Sequence, residues 1–200
     1  MMTNAPKNSI HPLTRAEWRA WLAENHQRDR GIWLITYKKA TGKPRIDYND
    51  AVEEALCFGW IDSKPNKLDE ARSLLWFAPR KSKTGWSKVN KERIERLLSG
   101  GLMAPAGLAK LEAAQQDGSW SALDAIEALE IPPDLATAFA AYPNSAENFD
   151  AFPRSAKRGI LEWISTAKRS ETRAKRIAET AELAAQNIRA NQWRKPSAKT

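Results

Sequence analysis

Two short runs, "WIDSK" at 60–64 and "SLLWFAPR" at 73–80, constrain the fold of this chain most. Both are rich in aromatic and branched apolar residues, and so read as neighbouring strands. Gly59 precedes the first run and Pro79 closes the second. A third run, "GIWLITYKKA" at 31–40, has the same character and is turned by "TGKP". The segments around these strands have helical periods instead. The expected class is therefore α+β, with a small antiparallel sheet and packed helices in the N-terminal half.

The helices carry their own start and stop signals. Thr14 and Glu17 have capping-box spacing, with Leu13 and Trp18 placed as a hydrophobic staple. Trp18, Trp21 and Leu22 then share one face of a helix ending near Asn25. Tyr48, Ala51, Val52, Ala55 and Leu56 form another face, and Gly59 can end that helix. Residues 88–98 form a basic amphipathic helix with Ser87 or Asn90 as cap and Gly100–Gly101 as stop. Pro105 opens a further helix running to Gly118.

No strand signal follows. "PPDLATAFAAY", "SAKRGILEWISTAK" and "SETRAKRIAETAELAAQNIRANQW" all read as helical. In the last, Ala174, Ile177, Ala178, Ala181, Ala185 and Ile188 form a narrow small-residue stripe expected to pack on the preceding helix. The final "RKPSAKT" is expected to fray. The reading is an α+β domain over 1–120 and an all-helical region over 121–200, with the boundary between 118 and 133.

Charge follows a basic–acidic–basic layout: +7 over residues 1–105, −7 over 106–153 and +8 over 154–200. It fits an acidic middle neutralising basic ends, or two basic surfaces free for an anionic partner. The N-terminal "MMTNAPKNSIHPL" has no signal-peptide core, and no apolar run is long enough to span a membrane. A single cysteine cannot form an internal disulfide. Together these point to a cytoplasmic protein without a membrane span.

Few residues carry recognisable chemistry. Cys57 falls at a helix C-terminus near Asp50, Glu53 and Glu54, a setting that disfavours the thiolate, so its expected role is structural. His11 and His26 have no cysteine or carboxylate at ligand spacing, and no metal site is expected. "GWSKV" is not a nucleophile elbow, and "TGKP" lacks the phosphate-loop glycines. No catalytic residue and no cofactor are assigned.

A different constellation stands out: Trp60, Asp62, Lys64, Arg80, Trp86, Ser87, Lys88 and Asn90, with Trp76 nearby. In an antiparallel hairpin, Trp60 and Asp62 point to one face, with Lys64 beside them. The loop from Arg80 to Trp86 leads into the basic helix, whose first N–H groups suit an anion assisted by Arg80 and Lys88. These residues make a candidate ligand pocket. The plainer alternative is a tryptophan cluster at the core edge, with an Asp62–Arg80 ion pair fixing the turn.

Three stretches, "AVEEALCFGWIDS", "FAPRKSKTGWSKVNKERIERLLSGGLM" and "EWISTAKRSETRAKRIAET", resemble the bacterial YdeI/OmpD-associated, or bacteriocin-protection, family. The resemblance runs from "WLAENH" to the final helix. It implies a role in protection against an antimicrobial protein, or an envelope connection, and supplies no catalytic residues.

The expected function is a binding module of stress or bacteriocin protection, with an anion or small-ligand pocket at 60–64 and 80–90. Its partner would be an anionic small molecule or a protein. A nucleic-acid-binding role is the first alternative. It rests on the basic stretches 80–96 and 168–176, although Glu92, Glu95 and Glu171 interrupt them. An enzyme acting on an anionic substrate, with Asp62 as base and Arg80 as clamp, is the second.

Overall fold

Thr14 caps the first long helix as its spacing predicts. The computed structural model describes residues 5–192, so the terminal "RKPSAKT" lies outside the described residues. A two-residue strand β1 (Ser9–Ile10) leads into α1 (Arg15–Asn25), where the Thr14 hydroxyl accepts the Glu17 N–H at 3.2 Å. Glu17 reaches back one residue further than a capping box requires and accepts the Leu13 N–H at 2.8 Å. Strand β2 (Ile32–Tyr37) and helix α2 (Tyr48–Cys57) follow. Gly59, at φ +75°, then turns the chain into β3 (Trp60–Lys67), a sharp exit that favours glycine.

Strand β4 (Arg72–Pro79) completes a four-stranded sheet in the order β1-β2-β4-β3. The pairs β2–β4 and β3–β4 are antiparallel, as the sequence suggests. β1 adds a parallel edge beside β2, which makes the sheet mixed. Two residues carry no period; β1 joins the edge of β2, where the Trp33 N–H donates to the Asn8 carbonyl at 3.1 Å. The register pairs Leu34 with Leu75, Ile32 with Phe77 and Asp62 with Phe77, so these side chains share one face. That face carries the N-terminal core with Trp18, Leu22, Val52, Leu56 and Trp60. The opposite face holds a T-shaped Trp33–Trp76 pair, with centroids 5.1 Å apart.

Helices α3 (Lys88–Ser99) and α4 (Pro105–Gln116) finish this unit. The Ser87 hydroxyl caps α3 by accepting the Asn90 N–H at 3.4 Å, and Pro105 stands at the start of α4, where its missing N–H costs nothing. Gly107 lets α4 lie against the end of α2: a Cβ there would sit 2.2 Å from the Cys57 carbonyl oxygen.

The chain divides into two compact units between Ala122 and Leu123. The second contains α5 (Asp124–Glu127), α6 (Pro133–Ala140), α7 (Ser145–Ala151), α8 (Arg154–Ser165) and α9 (Ser170–Ala185). The class is α+β with a helical C-terminal half. The buried face of α9 is Ile177, Thr180, Ala181 and Ala184, so it keeps only Ile177 and Ala181 of the stripe read from residue size. Ala174, Ala178 and Ile188 are exposed. Thr180 can be buried because its hydroxyl bonds back to the Arg176 carbonyl at 2.7 Å, which satisfies its donor. α9 packs against α6 and α7 as well as the preceding α8. Among the described residues, no helix is long and apolar enough to cross a membrane.

Candidate functional site

The hairpin and the start of α3 do not converge on one pocket. Their residues separate into a groove around Asp62 and a tight stack around Arg80.

Trp60 lies in the core at 1% exposure. Its indole N–H donates to the His26 carbonyl at 2.9 Å, which ties β3 to the end of α1. Two residues on, Asp62 accepts the Tyr48 hydroxyl at 2.9 Å. A register shift between Asp62 and Pro65 leaves Ser63 and Lys64 exposed on a bulge. Beside Asp62 a groove of roughly 410 Å³ opens between the sheet and the first turn of α2. Leu34, Ile46, Ala51 and Leu75 give it an apolar floor, and Arg45, Tyr48, Asp62 and Asn66 a polar margin. That size falls within the range of small-molecule sites. Arg45 pairs with Asp47, while Arg93 donates to Asn49 at 2.8 Å and lies over the Tyr48 ring. Burial, and then the bond to Asp62, push the Tyr48 hydroxyl above its usual pKa. The phenol therefore stays protonated and acts as a donor.

Arg80 turns the other way. Its guanidinium donates to the carbonyls of Thr84 (3.1 Å) and Gly85 (2.6 Å) and stacks 3.7 Å from the centroid of Trp86. Trp86 is 2% exposed and also meets Trp120. The Asp62–Arg80 ion pair of the plainer alternative is not among the ion pairs of the described residues: Asp62 accepts the Tyr48 hydroxyl, and Arg80 donates to its own loop carbonyls. Ser87 and Asn90 serve as helix cap, with Asn90 also accepting from Arg93 at 2.9 Å; Lys88 is exposed.

Cys57 sits in the core rather than on the polar side of α2. Burial first, and then Glu54, raise its thiol pKa, against the lowering effect of Arg19. Such a thiol is a poor nucleophile. No group of three metal-ligating side chains occurs among the described residues.

The sequence reading missed Tyr48 as a polar partner, because it occupied an apolar position of the α2 period. The phenol stands in the first turn of α2, from where its hydroxyl reaches Asp62 on β3. Sequence offers no signal for that beyond the helix start. Within the second unit a further groove, of about 680 Å³, is lined by Leu129, Ile131, Phe139 and Phe149, with the Lys157–Asp150 pair (2.9 Å) among its lining residues.

Comparison with known families divides the chain similarly. Residues 10–110 match the model of a domain of unknown function, DUF8412. Residues 128–187 match the family described as bacteriocin-protection, YdeI or OmpD-associated. The bacteriocin-protection resemblance is thus shown over the helical unit, a part of the chain. No curated protein and no solved structure gives a significant match.

Proposed function

From a chain that belongs to the DUF8412 family and carries a bacteriocin-protection segment beside that domain, we propose a binding module of bacteriocin or stress protection. Its N-terminal unit takes a small ligand in the groove beside Asp62. The observation that carries this reading is the half-buried Asp62 carboxylate, which has a neutral phenol as partner and faces an apolar-floored groove of small-molecule size. A carboxylate so placed keeps acceptor capacity for an incoming N–H group. The ligand class is therefore a small molecule with an apolar body and an amine or amide donor.

The nucleic-acid alternative has less support. Several of the cations it needs are engaged internally: Arg96 with Glu53 at 3.2 Å, Arg173 with Asp134 at 2.7 Å, and Arg93 with two asparagines. The enzymatic alternative needs Asp62 and Arg80 to act on one substrate, and each has its own separate partners.

A thermal-shift screen of the full chain against amines and amides tests the groove. Ligand at 100 times its dissociation constant stabilises by about 2.7 kcal/mol. Wild-type protein should respond to a member of the set, and Asp62→Asn should lose that response while keeping the melting temperature of the free protein. Equal responses from both proteins, or silence across the library, overturn the reading.

A further inference from the structure

Among the described residues, Arg80 is a buried cation with no counter-ion. It is 7% exposed, its Nε has no hydrogen-bond partner, and its two carbonyl acceptors are neutral. The ion pairs among the described residues do not include it. Burial alone pulls its pKa down to about 10, which still leaves it charged at neutral pH. A buried guanidinium without a carboxylate is costly, and anions are its natural complement.

The cleft beside it is built to keep that charge imbalance. Lys81 and Lys83 flank Arg80 on its loop, and Lys110 reaches in from α4. Lys110 lies there because Gly59 has no side chain: a Cβ on Gly59 would stand 2.7 Å from the Lys110 Cγ. The same glycine accepts the Arg80 N–H at 2.9 Å, so one residue positions both cations. The single acid on the cleft, Asp117, is committed to the N–H groups of Lys83 (3.2 Å) and Ser119 (2.9 Å). Four cations thus face one carboxylate. The free space is about 20 Å³, enough for one atom the size of a water oxygen. A ligand must seat one oxygen in this recess and keep others outside, within reach of flexible ammonium groups. A tetrahedral oxyanion has that shape.

We propose that the cleft formed by Arg80, Lys81, Lys83 and Lys110 binds a phosphate group, with one oxygen directed toward the Arg80 guanidinium and the others toward the lysines. The site is independent of the groove at Asp62.

The test is a titration of the full chain with inorganic phosphate at constant ionic strength, chloride making up the balance. It is read by the NMR shifts of the Ser82 and Lys83 amides and the Trp86 indole N–H. Saturable shifts are expected. The double variant Lys81→Ala, Lys83→Ala, exposed at both positions, should keep its melting temperature and bind phosphate about tenfold more weakly. Asp117→Asn should bind more tightly. Asp62→Asn should bind phosphate like wild type, which separates this site from the groove. Phosphoserine and a phosphodiester dinucleotide then distinguish the source: stronger binding of the former assigns a phosphomonoester, and of the latter a nucleic-acid backbone. Absent or non-saturating shifts, or unchanged affinity in the folded double variant, overturn the proposal.

Discussion

Glu54 takes a hydrogen bond from Arg19 at 2.6 Å on one carboxylate oxygen, while its other oxygen accepts from Arg15 at 2.5 Å. The carboxylate is nearly sealed, and both arginines come from α1, so the contact fastens α1 across the middle of α2. Arg19 extends the link by donating to the Leu102 carbonyl at 2.9 Å.

Glu54→Gln should therefore destabilise the protein by about 2 kcal/mol, since it leaves two guanidinium groups facing a neutral amide. The arginines remain about one-third exposed, which keeps the loss below that of a fully buried pair. Urea denaturation of the variant against wild type measures this. A loss under a few tenths of a kcal/mol would show that solvent already screens the cluster.

Gly107→Ala should cost at least about 2 kcal/mol, because the new methyl group meets the backbone at Cys57 and not a flexible side chain. The Cys57 carbonyl also accepts the Ala104 N–H at 3.0 Å, so α4 cannot shift outward without loosening that bond. The measurement is the denaturation midpoint, with Gly101→Ala as a comparison; that site has free space, and its strain comes from φ +64° alone.

Tyr48 links stability to alkaline pH. Its pKa is raised in the folded state, so the protonated phenol is bound more tightly there than in the unfolded chain. The contribution is fully present below the ordinary tyrosine value near 10 and is lost as pH rises through the folded value. Wild-type stability should fall more steeply above pH ~10 than that of Tyr48→Phe, other titrations being common to both. Parallel curves would mean that neither the burial of the phenol nor its Asp62 bond favours the protonated form in the folded state.

Cys57 should resist alkylation in the native protein. Its thiol is buried and its pKa raised, so iodoacetamide at pH 8 should label it only at the rate of opening, and rapidly in denaturant. Fast native labelling would contradict the sealing of α2 by α4. Cys57→Ala, which removes little volume, should leave ligand responses unchanged.

Helix caps, turn glycines and strand runs were legible because they are decided within a few residues. Thr14 and Ser87 cap the helices that their spacing announces, and Pro79 ends β4 where the strand run stops. The hairpin β3–β4 follows from the same local signals. Of the candidate site, the two-residue period correctly put Trp60 and Asp62 on one face. It said nothing of which neighbour each would meet.

The sequence alone thus determined the α+β class, the order of the longer helices and of β2, β3 and β4, and the departure of the C-terminal half into helices. All of these rest on local period and capping. Tertiary structure alone decided the partners: Asp62 bonds to Tyr48, fourteen residues earlier, and Arg80 stacks on Trp86 without a carboxylate. It also decided that Thr180 is buried and Ile188 is not. A side chain's partner depends on which surfaces meet after the chain has folded, and a buried charge such as Arg80 is tolerated or relieved by groups far away in sequence. That is why the hairpin could be read in advance, and the division of its polar residues between a groove and a cationic cleft could not.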